Sequence, residues 1–111
     1  MILYNVTVSV ENTVADEWLQ WMKEVHIPEV MGTGFFLSNQ ICRLMTEVEN
    51  GGTTYAVQYF CRNIDDLEEY QRDHAPALQE KTANRYGEKA LAFRSVLEIV
   101  ATDVERTGNA E

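Results

Sequence analysis

Residues 3–10 alternate strictly, with Tyr4, Val6, Val8 and Val10 apolar and Asn5, Thr7 and Ser9 polar between them. A period of two over this length requires an extended strand with one face buried and one face open. The chain must therefore build a sheet and cover only one side of it locally. A second such run follows at residues 53–62, where Tyr55, Val57, Tyr59 and Cys61 alternate with Thr54, Ala56, Gln58 and Phe60. Residues 35–48 are rich in Phe, Leu, Ile and Val and read as a long strand, and residues 90–100 read as the last one. Between the two middle strands, Glu49-Asn50-Gly51-Gly52 is a hairpin signal.

Two helical patterns separate these strands. Val14, Trp18, Trp21, Met22 and Val25 form one apolar stripe, with Thr13 expected as its N-cap and Asp16 completing a capping pair. Pro28 is expected to stop this helix or to open a short turn, and Gly32-Thr33-Gly34 breaks it. A second helix starts at Asn63, where Asp65, Asp66 and Glu68 suit its positive end. Leu67, Tyr70, His74 and Leu78 trace one side of it. Pro76 interrupts it, it resumes toward Tyr86, and Gly87 caps it.

The order is βαββαβ. The reading is an α+β fold of ferredoxin-like plan: a four-stranded antiparallel sheet with two helices on one face. Residues 1–100 form one domain, and 101–111 a polar, flexible tail. His26-Ile27-Pro28 and His74-Ala75-Pro76 sit in matching places of the two halves, as a duplicated split βαβ unit would have them.

Hairpin geometry sorts the faces. A tight loop at Asn50-Gly51 or Gly51-Gly52 opposes even residues of the second strand to odd residues of the third. One face then holds Phe36, Cys42, Leu44, Val57, Tyr59 and Cys61, joined by Tyr4, Val6, Val8, Leu91, Phe93, Leu97 and Ile99 as the core. The other holds Asn5, Thr7, Ser9, Ile41, Arg43, Met45, Gln58, Phe60, Arg94, Val96 and Glu98. Its mixed character fits burial against a second copy, which makes a homodimer and a dimeric α/β barrel with a partly polar interior. In that interior Arg43 and Arg94 are candidate ligand-binding residues, with Asn5, Thr7 and Gln58 as neutral hydrogen-bonding partners. Arg94 has three options: an ion pair with Glu98, a place in water at the rim, or the anionic group of a ligand.

The chain carries 18 acidic and 9 basic residues, a formal charge of −9. That field disfavours nucleic acid and anionic membrane surfaces as partners. No apolar run is long enough to span a bilayer, and the first residues lack the pattern of a signal peptide. Cys42 and Cys61 are too few for a secreted disulfide framework, so two free thiols in the cytoplasm are expected. One register of the hairpin would nevertheless place them opposite each other. No Cys-x-x-Cys or His-x-x-x-His spacing suggests a metal, and no nucleotide-binding or nucleophile motif calls for a cofactor. His26 and His74 are the candidate acid–base residues.

Tyr4-Asn5-Val6-Thr7, Trp18-x-x-Trp21-Met22, His26-Ile27-Pro28-Glu29-Val30, Gly52-Thr53-Thr54-Tyr55-Ala56-Val57-Gln58-Tyr59 and His74-Ala75-Pro76-Ala77-Leu78, with Arg94, resemble a bacterial family of short proteins classed as a domain of unknown function. The likeness runs to about Val100 and implies a fold without an activity. More remotely, the element order and the His-x-Pro resemble the dimeric α/β-barrel superfamily, with its cofactor-free monooxygenases, haem-degrading enzymes and stress-responsive barrels. In the haem-degrading branch an Asn on the first strand and a His on the second helix match Asn5 and His74. Tyr70 stands where that branch has Trp. Three functions follow as expectations. The first is a small-ligand-binding or regulatory barrel, the second a cofactor-independent monooxygenase-like or haem-degrading-like enzyme on a small substrate, and the third a structural dimerisation module.

Overall fold

A computed structural model describes residues 1–46 and 51–103. The chain order is β1 (Ile2–Glu11), α1 (Ala15–Trp21), a π-helical turn (Met22–His26), α2 (Ile27–Met31), β2 (Ser38–Arg43), β3 (Gly52–Cys61), α3 (Ile64–Asp73), α4 (Ala75–Tyr86), a 3₁₀ turn (Gly87–Lys89) and β4 (Ala90–Glu98). The four strands lie in the order β2-β3-β1-β4, and every pairing is antiparallel. This is the ferredoxin-like plan, with the helices packed on one face.

Pro28 does not end the first helical stretch. Its ring lacks an N–H and would clash with the carbonyl four residues back in a regular helix. The chain widens instead: the Ile27 N–H donates to the Met22 carbonyl five residues earlier, and Pro28 falls in the first turn of α2. Helical backbone thus runs on to Met31, and His26 sits at the end of the widened turn. At the other end the N-cap is Val14, without a side-chain cap, because the Thr13 hydroxyl donates to Glu11 instead. The second helical stretch follows the sequence closely. Asn63 Oδ1 accepts from the Asp66 N–H at 2.8 Å, α3 ends before Pro76, and Gly87 takes φ +54° at the end of α4.

The register overturns the expected sorting of faces in β2 and β4. Ile41 opposes Val57 and Cys42 opposes Ala56, so even residues meet even residues. Arg43 and Gly52 are too far apart in sequence for a two-residue hairpin. Half of the expected turn, Glu49 and Asn50, lies outside the described residues, as do Val48 and the end of the expected long strand. Phe35 and Phe36 precede β2 rather than forming its start.

Ile41 therefore packs on the core, while Cys42 is exposed on the other face and Leu44 is exposed beyond the strand. Cys61 opposes Ile2, far from Cys42 in the pairing, and both thiols are free. On β4, Phe93 opposes Thr7 and Arg94 opposes Val6. Leu91, Phe93 and Leu97 thus share the open face with Asn5 and Thr7, and Arg94, Val96 and Glu98 turn to the helix side. The cause is packing: the helices cover β1 and β3, and the small Ala90 and Ala92 suffice where β4 meets that layer.

The core is aromatic. Phe36 stacks on Tyr4 at 6.2 Å, lies 5.1 Å from Tyr59 and meets Tyr70 edge-on at 4.8 Å. Trp18 packs on Tyr55 at 5.0 Å, and Trp18, Leu67, Val10, Val30, Val57 and Cys61 are the most completely buried side chains.

Candidate functional site

The layer of helices ends over β1 and leaves a crevice against the edge strand β4. Tyr4 and Val6 come to it from β1, Tyr59 from β3, Tyr70 from α3, His26 from the end of the π turn and Arg94 from β4. The crevice is partly open, with room of about 40 Å³, and it adjoins a second space of about 50 Å³ that shares Val6, Met22, His26 and Arg94 and reaches Trp18. A water needs roughly 10–15 Å³ by this measure, so the crevice holds a few waters or one small polar group.

The π turn is what aims His26 here. Its imidazole stacks on Trp21 at 5.2 Å, and its Nδ1 is buried without a hydrogen-bond partner. Burial pushes its pKa below the ordinary 6.5; Glu29 opposes that shift, and Lys81 and Arg94 reinforce it. Glu29 is itself engaged, since its Oε2 accepts from Lys81 Nζ at 2.9 Å. Burial raises the pKa of Tyr59 and of Tyr70 well past the ordinary phenol range, so both remain neutral hydroxyl donors. Arg94 weakly opposes that shift at Tyr70. Arg94 takes no part in the ion pairs among the described residues, and none joins it to Glu98.

The lowered His26 pKa gives a signed prediction. Below about pH 6.5 the unfolded chain takes up a proton that the folded chain resists, so stability falls as pH drops from there through the folded-state value. Urea melts between about pH 7.5 and 5 should show this loss, and His26→Gln should flatten it. An unchanged slope in the variant would contradict a neutral, buried imidazole.

His74 lies elsewhere. It sits at the α3–α4 kink, stacks on Tyr70 at 6.2 Å and meets Phe35 at 5.5 Å, outside both spaces that His26 lines. The two histidines do not share a site. Asn5, Thr7 and Gln58 do come together, on the open sheet face. Asn5 Nδ2 donates to Thr7 Oγ1 at 3.0 Å, Gln58 Nε2 donates to Asn5 Oδ1 at 3.1 Å, and Gln40 Nε2 donates to Gln58 Oε1 at 2.6 Å. They satisfy one another across three strands. Arg43 opposes Tyr55 and so follows Ile41 to the helix side of β2 rather than the open face; at the strand's edge it lines a broad depression of about 330 Å³ with Thr7 and Cys42. Arg94 is on the opposite side of the sheet from the ladder, in the His26 crevice. Sequence reasoning assigned Tyr4 and Tyr59 to the core and missed that they also wall a crevice. The available signal was tyrosine where phenylalanine would fill a core equally well.

The open face carries a further feature. Phe93 is 67% exposed, Leu91 60% and Leu97 45%, and they form a band along β4 beside the polar ladder.

A family model described as a domain of unknown function (DUF4286) matches residues 1–100. A search of the curated proteins gave no match. Among solved structures, an ethyl tert-butyl ether d (ethd) family protein from Bacillus halodurans C-125 superposes with a TM-score of 0.65 at 13% identity, covering 88% of this chain and 98% of that one. A dimeric ferredoxin-like protein from an uncultured marine organism gives a TM-score of 0.62 at 10% identity, covering 92% and 97%. At these identities the likeness is one of fold.

Proposed function

The chain belongs to this domain-of-unknown-function family, and from its own surfaces we infer that the protein is a homodimeric small-ligand-binding domain. The observation that carries the reading is the β4 band. Three large apolar side chains, each at least 45% exposed, line one face of a sheet whose opposite face is covered by helices over β1 and β3. A lone protomer leaves that band in water, whereas two sheets facing each other bury it and enclose the Asn5–Thr7–Gln58 ladder between them. The name of the dimeric ferredoxin-like neighbour adds support from fold.

Such an assembly leaves the helix side of each protomer accessible, so the crevice of His26 and Arg94 is the proposed ligand site. Thr7 and Arg43 offer a second recess at the β2 edge. Free thiols and a charge of −9 fit a cytoplasmic protein that avoids nucleic acid and anionic membranes. Among the described residues no helix is long and apolar enough to cross a membrane. A cofactor-independent enzyme on a small substrate is the second reading, favoured by the buried, unpartnered Nδ1 of His26 beside two neutral phenols.

Mass action tests the dimer. If folding and association are coupled, the melting temperature rises with protein concentration. A melting temperature that stays constant over a hundredfold dilution from about 100 μM would argue against the reading.

A further inference from the structure

The crevice between β4 and the helices is rich in groups that can donate, and the Gln79 amide and Thr82 hydroxyl also line it. Arg94 presents a guanidinium that no carboxylate among the described residues engages. Trp18 lines the adjoining space, and its Nε1, which can only donate, is buried without a partner. Tyr59 and Tyr70 are neutral phenols there. His26 adds an imidazole whose Nδ1 has no partner. Glu29, the acid that acts on His26, lines neither space; its Oε2 accepts from Lys81 Nζ, and its Oε1 is buried without a partner. A cluster of donors with no carboxylate on its lining suits an anion, and its size limits which one. Room of about 40 Å³ accepts a flat, two-oxygen head group, and Val6, Val30 and Leu78 give the crevice an apolar wall beside it.

We propose that this crevice binds the carboxylate of a small organic acid, with Arg94 gripping it from β4 and His26 facing it from the helix side. The proposal rests on the small-ligand reading above and names its ligand class. A guanidinium fork matches a carboxylate in two parallel hydrogen bonds, which favours it over a tetrahedral anion in a narrow space. The anion also changes the balance at His26. The groups facing that imidazole are Glu29 from α2, Lys81 from α4 and Arg94 from β4, and the two cations disfavour its proton. A bound carboxylate offsets them, so binding is accompanied by proton uptake at His26 and tightens as pH falls toward 6.

The probes are sodium acetate, benzoate and phenylacetate, with benzamide as the neutral analogue and sulfate as the tetrahedral anion. Thermal shift and the NMR titration of the His26 ring are read on wild type, Arg94→Ala, Arg94→Lys and Tyr59→Phe. Arg94 is exposed, so its replacement leaves the core untouched. Benzoate or phenylacetate should raise the melting temperature and the His26 pKa in wild type, while benzamide should do neither. Arg94→Ala should weaken binding about tenfold or more, and Arg94→Lys and Tyr59→Phe by less. An equal response to benzamide or sulfate, undiminished binding in Arg94→Ala, or a His26 resonance that ignores the carboxylates would overturn the proposal. Light scattering on the same samples separates it from the dimer. A dimer indifferent to carboxylates overturns this inference alone. A monomer that binds them through Arg94 supports it and overturns the homodimer.

Discussion

Phe93→Glu is expected to turn the proposed homodimer into a folded monomer. The ring projects from the open face opposite Thr7 and is 67% exposed in the protomer, so the protomer's own core does not depend on it. Across a two-fold interface every substitution appears twice. Two carboxylates placed in an apolar contact lose their hydration without gaining partners, and they repel each other. The dissociation constant should rise roughly a hundredfold or more, since each 1.4 kcal/mol is tenfold. Far-UV circular dichroism should stay unchanged while the mass halves. Leu91→Glu and Leu97→Glu should act in the same direction. A Phe93→Glu protein that remains dimeric would mean that the copies meet elsewhere.

Trp18→Ala is expected to cost about 3–5 kcal/mol of folding stability, the range for emptying a large aromatic site. The indole is 1% exposed and packs on Tyr55 at 5.0 Å, at the point where α1 crosses the sheet. Against a total of roughly 5–15 kcal/mol for a domain, that loss takes away much of the margin. Trp18→Phe should cost far less. It keeps most of the apolar volume and removes the buried Nε1 donor, which has no partner in the fold. Urea unfolding of the two variants measures the difference. If Trp18→Phe were as damaging as Trp18→Ala, the Nε1 group rather than the packing would be what matters at this position.

Much of this architecture was legible because local chemistry and tertiary packing agree. The alternation over Tyr4–Val10 and Tyr55–Cys61 marks the two central strands, which are covered on one face only. Asn63, Pro76 and Gly87 punctuate the second helical stretch where their backbone preferences require it. The edge strands were misread for a physical reason. A central strand is held by neighbours on both sides, and its pattern reports one core. β4 has one neighbour and two partly apolar faces, so the larger residues Leu91, Phe93 and Leu97 looked like the core set and point the other way. In β2 the parity argument assumed a tight turn that Arg43 and Gly52 are too far apart to make. Arg94 was singled out, but its place opposite Val6 follows from register alone. That His26 would reach the same crevice depends on a π turn, which residue periodicity does not encode. Asn5, Thr7 and Gln58 were correctly placed on one face, and their mutual hydrogen bonds make them a ladder.

The open-face homodimer is the central claim about assembly, and the solution mass of the unmodified protein tests it most directly. Multi-angle light scattering at about 10 μM should return twice the 12.7 kDa chain mass. A mass of 12.7 kDa at that concentration would contradict it, leaving Leu91, Phe93 and Leu97 exposed to water in the native protein.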